Sequence, residues 1–343
     1  MPNYLIPQTN SIDHIFYNQH GGICKRQFTA GRFGTAQTIY KDGTDGFCAY
    51  ADFNNNLNVI CSNRNGDLLY FIEKDNTYRK YTLIKGNEKI YPKNIRVYVH
   101  NSRVNLLYTA SYGEETLLIY CILGISSKPL QIDTLSPDHQ NFAVYNNKVY
   151  YTNKNNVLGY MDFSDGKPDT FIPVSENACM PYLINHNGKD MLIYKSGDNI
   201  MCGDRKLFED KYAVNPIMCV SDDKLLLLWN SVNFIKYSSS MNNGADWSSP
   251  MRFVASPNSA SMYYVQSDNN FIAYYGTLSS NELHLIGANR FFSLKKAEYV
   301  PQPKNIQSEY PELRTNISAL TRELGEIKKQ LAELSDIFSD NNN

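Results

Sequence analysis

The chain has 343 residues, of which 42% are apolar and 20% charged, with a formal net charge of −1. This composition supplies a packed core and excludes a disordered polyampholyte. Near-neutrality leaves no long-range field to attract nucleic acid or an acidic membrane surface, so neither is expected as a partner.

The chain opens MPNYLIPQTNS, with no basic segment followed by an apolar one, so no secretory signal is expected. From residue 3 to about 300, strand-like segments of five to eight residues alternate with Asn-Asn, Asn-Gly, Asp-Gly and Gly-Asp turns. One unit recurs: an apolar strand, a short polar turn, then a more apolar strand. It begins at Asn3, Phe47, Ile95, Phe142, Pro181, Pro216 and Met262. The turns fall at Asn10, Asn55, Ser102, Asn146, Asn187, Asp222 and Asn269, at intervals of 35 to 47 residues. A period in the forties with four short strands per unit is the signature of a β-propeller. The strand after each turn, as in Lys224–Asn230, loses its polar alternation, as expected of a strand buried between two neighbouring blades. The fold expected is all-β: a propeller of seven four-stranded blades over residues 1–299, followed by a C-terminal coiled-coil helix.

No run reaches the length of a membrane span; the longest apolar run, Leu225–Trp229, is strand-sized. The seven cysteines (Cys24, Cys48, Cys61, Cys121, Cys179, Cys202, Cys219) include no C-x-x-C pair and sit mostly in apolar runs. They read as buried core thiols of a reducing compartment, which points to the cytoplasm. The six histidines (His14, His20, His100, His139, His186, His284) are scattered at no metal spacing, so no metal or other cofactor is expected.

In the sixth unit the third and fourth strands flank Ser240-Met241-Asn242-Asn243-Gly244-Ala245-Asp246-Trp247. This segment resembles the Asp box of sialidase-like propellers, S-x-D-x-G-x-T-W, with Asn242 at the Asp position and Asp246 at the Thr position. A weaker echo is Ser164-Asp165-Gly166-Lys167. The resemblance implies a structural turn in which Ser240, Asn242 and Gly244 shape the hairpin and Trp247 packs back into the blade. It also implies, for an active member, an arginine in a short F/Y-R-I-P motif. Here Tyr4-Leu5-Ile6-Pro7 carries Leu5 at that place, and leucine cannot grip a carboxylate. The family likeness is therefore to a degenerate propeller without the catalytic residues. Fucose-type lectin propellers repeat an Arg/Glu/Trp pocket in every blade, which two tryptophans cannot supply.

Loops between second and third strands place His20, Arg64, Tyr112, Lys154, Asp198 and Asn230 around one rim, the expected ligand-binding face. The function expected is a non-catalytic binding or scaffold module for a protein or glycan. The alternative is a glycoside hydrolase of sialidase-like fold, and a third reading is a hub that contacts partners by its edge.

After a Pro301-Gln302-Pro303 break in a linker over residues 300–309, the tail from 310 to 338 shows an unbroken a/d stripe. It runs Tyr310, Leu313, Ile317, Leu320, Leu324, Ile327, Leu331, Leu334 and Phe338. Glu309 and Glu323 fall at g positions with Arg314 and Lys328 at the following e positions, as in a parallel coil. Homo-oligomerisation through this segment is expected, with residues 339–343 a solvated end. Light scattering of the intact chain should therefore show an oligomer, and of a chain cut after residue 303 a monomer. Leu324→Lys, which puts a charge in the seam, should dissociate the oligomer and leave the β-sheet circular dichroism unchanged. A monomeric intact chain would mean that the helix docks on its own propeller.

Overall fold

The computed structural model describes Asn3 to Ser293, apart from positions 9, 53, 76, 87–90, 101–102, 124–127, 165–166, 222–223, 233, 256–262, 266–270 and 276–282. The chain divides into two units, Met1–Ser293 and Leu294–Asn343. The second unit, with the expected linker, coiled coil and oligomerisation residues Leu313, Ile317, Leu320, Leu324, Ile327, Leu331 and Leu334, lies outside the described residues.

The strands form consecutive antiparallel sheets, each built from adjacent sequence. The first holds β1 (Asn3–Gln8), β2 (Ser11–Asn18), β3 (Gly22–Thr29) and an outer strand in two pieces, β4 (Arg32–Phe33) and β5 (Gln37–Tyr40), both paired with β3. The second holds β6 (Gly43–Ala51), β7 (Leu57–Asn63), β8 (Leu68–Lys74) and β9 (Thr77–Ile84), and the third β10 (Pro92–His100), β11 (Arg103–Tyr112), β12 (Glu115–Ile122) and β13 (Leu130–Leu135). The fourth holds β14 (Phe142–Tyr145), β15 (Lys148–Thr152), β16 (Val157–Asp162) and β17 (Ile172–Glu176). The fifth holds β18 (Ala178–His186), β19 (Lys189–Ser196), β20 (Asn199–Cys202) and β21 (Arg205–Glu209), and the sixth β22 (Ala213–Ser221), β23 (Lys224–Ser231), β24 (Phe234–Ser240) and β25 (Met251–Ala255). A three-stranded sheet follows, β26 (Tyr263–Val265), β27 (Phe271–Tyr275) and β28 (Leu283–Gly287), and then a short helix, α1 (Asn289–Ser293).

The fold is an all-β propeller with six complete blades. The expected seven of four strands each are not reached, because the last sheet has three strands among the described residues. The first strands of successive sheets stand side by side in chain order, and β26 lies beside both β22 and β1.

Burial explains the strand order. The second strands are the core: β7 is buried along its whole length and β23 at every position but Lys224. The fourth strands face solvent, as β9 and β17 show. The apolar clusters lie between sheets. Ile6, Ile15 and Ile23 of the first sheet pack on Phe47, Val59 and Phe71 of the second, and Ile60 and Leu68 of the second pack on Ile95, Leu106 and Tyr108 of the third. A second strand thus packs on both faces, which is why its sequence shows no alternation.

Two sets of β-bulges repeat around the propeller. In all six complete sheets the pairing of the third strand with the outer one slips by a residue, at Ile23/Cys24, Leu68/Leu69, Leu118/Ile119, Leu158/Gly159, Ile200/Met201 and Ile235/Lys236. In four sheets the first strand also bulges near its start, at Gly43/Phe47, Lys93/Arg96, Cys179/Tyr182 and Val214/Ile217. In three of these the extra residue takes a left-handed backbone: Asn94 (φ 47°), Met180 (φ 58°) and Asn215 (φ 50°). Bulges sharpen local twist, which tilts each strand relative to the next around a closed ring.

Gly46 occupies the bulge of β6, where a Cβ would lie 2.2 Å from the carbonyl oxygen of Pro92 and 2.7 Å from Ser62 Oγ. The second and third sheets can approach this closely only without a side chain. Gly46→Ala should cost about 1–3 kcal/mol through overpacking. A lowered urea midpoint with native circular dichroism is the expected result, and an unchanged midpoint would show that the two sheets part freely.

Candidate functional site

Because neighbouring strands run antiparallel from the inside outwards, each sheet has two distinct ends. The hairpins joining second to third strands share one end with the connections that lead from sheet to sheet; this end is termed the upper face. The hairpins joining first to second and third to fourth strands share the lower face.

Five of the six rim residues fall at the second-to-third strand connections. His20, Arg64, Lys154 and Asp198 occupy exposed turns, and Tyr112 ends β11 with 65% of its surface exposed. Three of the turns are built alike. The Oδ1 of Asn18, Asn63 and Asn153 accepts hydrogen bonds from backbone N–H groups two to four residues ahead, at 2.8 to 3.2 Å. These Asx turns hold the hairpin tips still. Lys154 N also donates to the carbonyl of Thr134, tying the fourth hairpin to the outer strand of the third sheet (3.0 Å).

Asn230 departs from the expectation. It lies within β23, paired with Val214 and Ile235, and is 2% exposed. The strand continues to Ser231, so the exposed tip of that hairpin is Val232 instead (59%).

The upper face carries two further exposed aromatic residues that spacing did not single out. Tyr91 (40%) precedes β10 and Tyr212 (60%) precedes β22, each on a connection between sheets. Of the other exposed large apolar side chains, Tyr81, Leu130, Ile172 and Val174 lie on outer strands, and Val99 and Met241 at the lower face. Beneath the upper face, buried hydroxyls of second strands satisfy carbonyls at the start of first strands. Ser62 Oγ donates to Gly46 O (3.2 Å), Thr109 Oγ1 to Lys93 O (3.2 Å) and Thr152 Oγ1 to Ala178 O (2.9 Å). The ring and the loops above it are thereby coupled.

Among the described first strands, Arg96 is the one arginine. Its Nη1 donates to Tyr4 Oη (2.8 Å) and to its neighbour's carbonyl, Ile95 O (3.0 Å). Tyr4 Oη in turn lies within reach of Phe47 O (3.2 Å) and Ile95 O (3.3 Å), so this pair ties together the inner strands of three sheets. Leu5 is half-buried in β1.

The segment from Ser240 to Trp247 forms a lower-face turn. Gly244 N donates to Ser240 Oγ (2.8 Å), Asp246 N to Asn242 Oδ1 (2.9 Å) and Asn242 Nδ2 to Asp246 Oδ2 (2.9 Å). Gly244 takes φ 84°. Trp247 meets Phe208 edge-on in the core between the fifth and sixth sheets. Arg205 of the fifth sheet donates to the carbonyls of Gly244 and Ala245 (2.7 and 2.8 Å). The side chains of Ser240, Asn242, Asp246 and Trp247 thus fasten the turn.

Two histidines tie neighbouring sheets together. His100 Nε2 meets the carbonyl of Ser164 (2.9 Å) and His186 Nε2 meets Asn243 Oδ1 (2.8 Å), each joining neighbouring sheets. Among the described residues no group of three or more His, Cys, Asp or Glu side chains could hold a metal ion, and no helix is long and apolar enough to cross a membrane. All seven cysteines are free thiols, six of them buried. Burial pushes the Cys48 and Cys61 thiols up to about 12.

No known protein family matches the chain, and no curated protein matches it. Solved structures do. One described as BBS1N in complex with ARL6DN is 10% identical, with 80% of this chain and 86% of that chain covered, at a TM-score of 0.53. The SapL1 lectin in complex with α-methyl fucoside is 10% identical over 84% of this chain and 92% of its own (TM-score 0.47). A mutant of the Aleuria aurantia lectin in complex with α-methyl-L-fucoside is 10% identical over 83% and 93% (TM-score 0.41). At such identity the first likeness speaks for the propeller fold alone.

His14 makes the stability of the fold depend on pH. It is fully buried in β2 against Phe16 and Phe33. Arg26 Nε donates to its Nδ1 (3.0 Å), so the proton sits on Nε2, which donates to Asn3 Oδ1 (2.8 Å). Burial, with the Arg26 charge beside it, lowers its pKa to about 3. The folded state therefore keeps a neutral ring where the unfolded chain takes up a proton near pH 6.5. Stability from this site is complete above pH 6.5 and falls as the pH drops towards 3. Between pH 7.5 and 5 the loss should be about 2 kcal/mol in urea melts. His14→Gln should flatten that slope, and equal slopes would show that His14 titrates normally.

Proposed function

We propose that this protein is a non-catalytic binding propeller whose recognition face is the upper one and whose ligand is a protein or a glycan. The observation that carries the reading is the presence there of exposed Tyr91, Tyr112, Tyr212 and Val232 among the polar tips His20, Arg64, Lys154 and Asp198. Aromatic rings on rigid turns give large contact area at low entropic cost, and flanking charges select the partner. The bonding of the Ser240–Trp247 turn supports a structural role for it, in keeping with an Asp-box-like plug. Arg96 is engaged with Tyr4, and Leu5 offers no charge. These residues favour recognition over the glycoside-hydrolase alternative.

We further infer that the three-stranded sheet is a seventh blade, which the placement of β26 between β22 and β1 supports. In this reading the a/d segment from 310 to 338 gathers several heads, raising apparent affinity through effective concentration without new contacts per head. The six buried thiols agree with a reducing compartment such as the cytoplasm.

Screening the intact chain on glycan and protein arrays tests the face. Replacing Arg64 and Tyr112 together by alanine should weaken any ligand found by at least about tenfold, as loss of interface anchors does. Unchanged binding would move recognition to the outer edge or the tail.

A further inference from the structure

At the upper end of the sixth sheet, Ala213 of β22 stands opposite Ser231 of β23. Tyr212 and Val232 follow directly on that last pair, one on each segment, so both flank the same end of the ladder. Both are more than half exposed. Two large apolar side chains are thus exposed at one end of the sheet.

Their backbones are unusually constrained. Val232 takes φ 54°, a left-handed conformation that a β-branched residue enters only under strain. The turn bearing Tyr212 is fastened from both sides. Asp210 Oδ1 accepts from Tyr212 N and from Ser231 Oγ, each at 3.0 Å, while Oδ2 accepts from Trp229 Nε1 (2.9 Å) and Lys236 Nζ (2.8 Å). The Asp210 side chain is only 8% exposed. Lys236 and the indole and hydroxyl donors hold its carboxyl below the usual range against the opposing effect of burial. From the fifth sheet, Lys195 Nζ donates to the carbonyls of Lys211 and Ala213, both at 2.8 Å, on either side of Tyr212. Asp210 N also donates to Asp198 O (2.8 Å), which links the turn to the neighbouring hairpin.

A buried carboxylate and two lysines therefore immobilise a surface turn whose outward side chain is a tyrosine. A turn already held still loses little entropy when covered, which favours tight docking. Val232 has no hydrogen-bonding group and gains only from a dry apolar contact, which a protein surface offers better than a hydroxylated sugar. Lys211 is exposed, with Nζ 5.9 Å from the Tyr212 ring centre, and adds a cation at the border.

We propose that Tyr212 and Val232 form the apolar anchor by which this protein docks a partner protein, with Asp210 and Lys195 as positioning residues. The partner fits with an apolar recess bordered by a carboxylate that meets Lys211. This rests on the reading that the upper face is the recognition surface, and narrows it to one seam.

Panning a phage-displayed random-peptide library against the intact chain provides the probe. Enriched peptides should combine apolar residues with Asp or Glu. They should bind the Tyr212→Ala, Val232→Ser double variant about thirtyfold more weakly, as expected for loss of a hot spot. Lys195→Met, which leaves the Asp210–Lys236 pair intact, should weaken them about tenfold through faster dissociation and speed hydrogen exchange at Tyr212 and Ala213. Asp210→Asn should do the same, with circular dichroism confirming the fold. Peptides that bind wild type and double variant equally would overturn the anchor. So would a glycan ligand lost on Tyr212→Ala, or a wild-type self-association that this change abolishes. Peptides that depend on Arg64 and Tyr112 but not on Tyr212 would overturn the anchor and keep the upper face. Peptides indifferent to all these changes would overturn both.

Discussion

The architecture depends on one constraint: each second strand must be buried on both of its faces. A four-stranded sheet cannot do this alone, because one face would remain in water. Packing sheet against sheet solves it, and each contact between neighbours is of the same kind, as the Ile15–Phe47 and Ile60–Ile95 regions show. Burying a large aliphatic side chain contributes roughly 1.5–3 kcal/mol. Repeating such contacts around a ring makes each sheet dependent on its two neighbours, and the short outer strands can then remain exposed.

Close packing of twisted sheets brings inner strands together, and their backbone polar groups need partners where the pairing slips. The buried hydroxyls of Ser62, Thr109 and Thr152 meet that need at the upper end. The Tyr4–Arg96 pair meets it on the inner wall. At the lower end, Arg205 and His186 fasten the Ser240–Trp247 turn from the neighbouring sheet. Polar side chains here act chiefly between sheets, which keeps the loops of one face in a fixed relation to one another. Such a scaffold suits recognition, because the surface it presents is largely ordered before a partner arrives.

Much of the fold was legible in the residues themselves. The recurring turn, the period of the units and the lost alternation in Lys224–Asn230 report local geometry and two-sided burial, and both leave marks on sequence. The positions of His20, Arg64, Tyr112, Lys154 and Asp198 at the second-to-third strand connections followed from counting strands. Asn230 did not, because strand ends are set by how far the ladder continues, and β23 runs on to Ser231. The bulges left only a partial mark: Asn94 and Asn215 are of the type that tolerates a left-handed backbone, but Met180 adopts it without that preference.

What the sequence determined by itself was the periodic β architecture, the turn chemistry and the apolar stripe of the tail, since each depends on residues close along the chain. Tertiary structure alone decided which aromatic residues are exposed on one face and which polar groups hold them there. Lys195 of β19 and Lys236 of β24 reach the Tyr212 turn from two different sheets. Tyr212 and Val232 are twenty residues apart and reach the same end of the sheet only through the register of β22 on β23. Exposure and convergence of this kind arise from long-range packing, and local propensity carries no record of it.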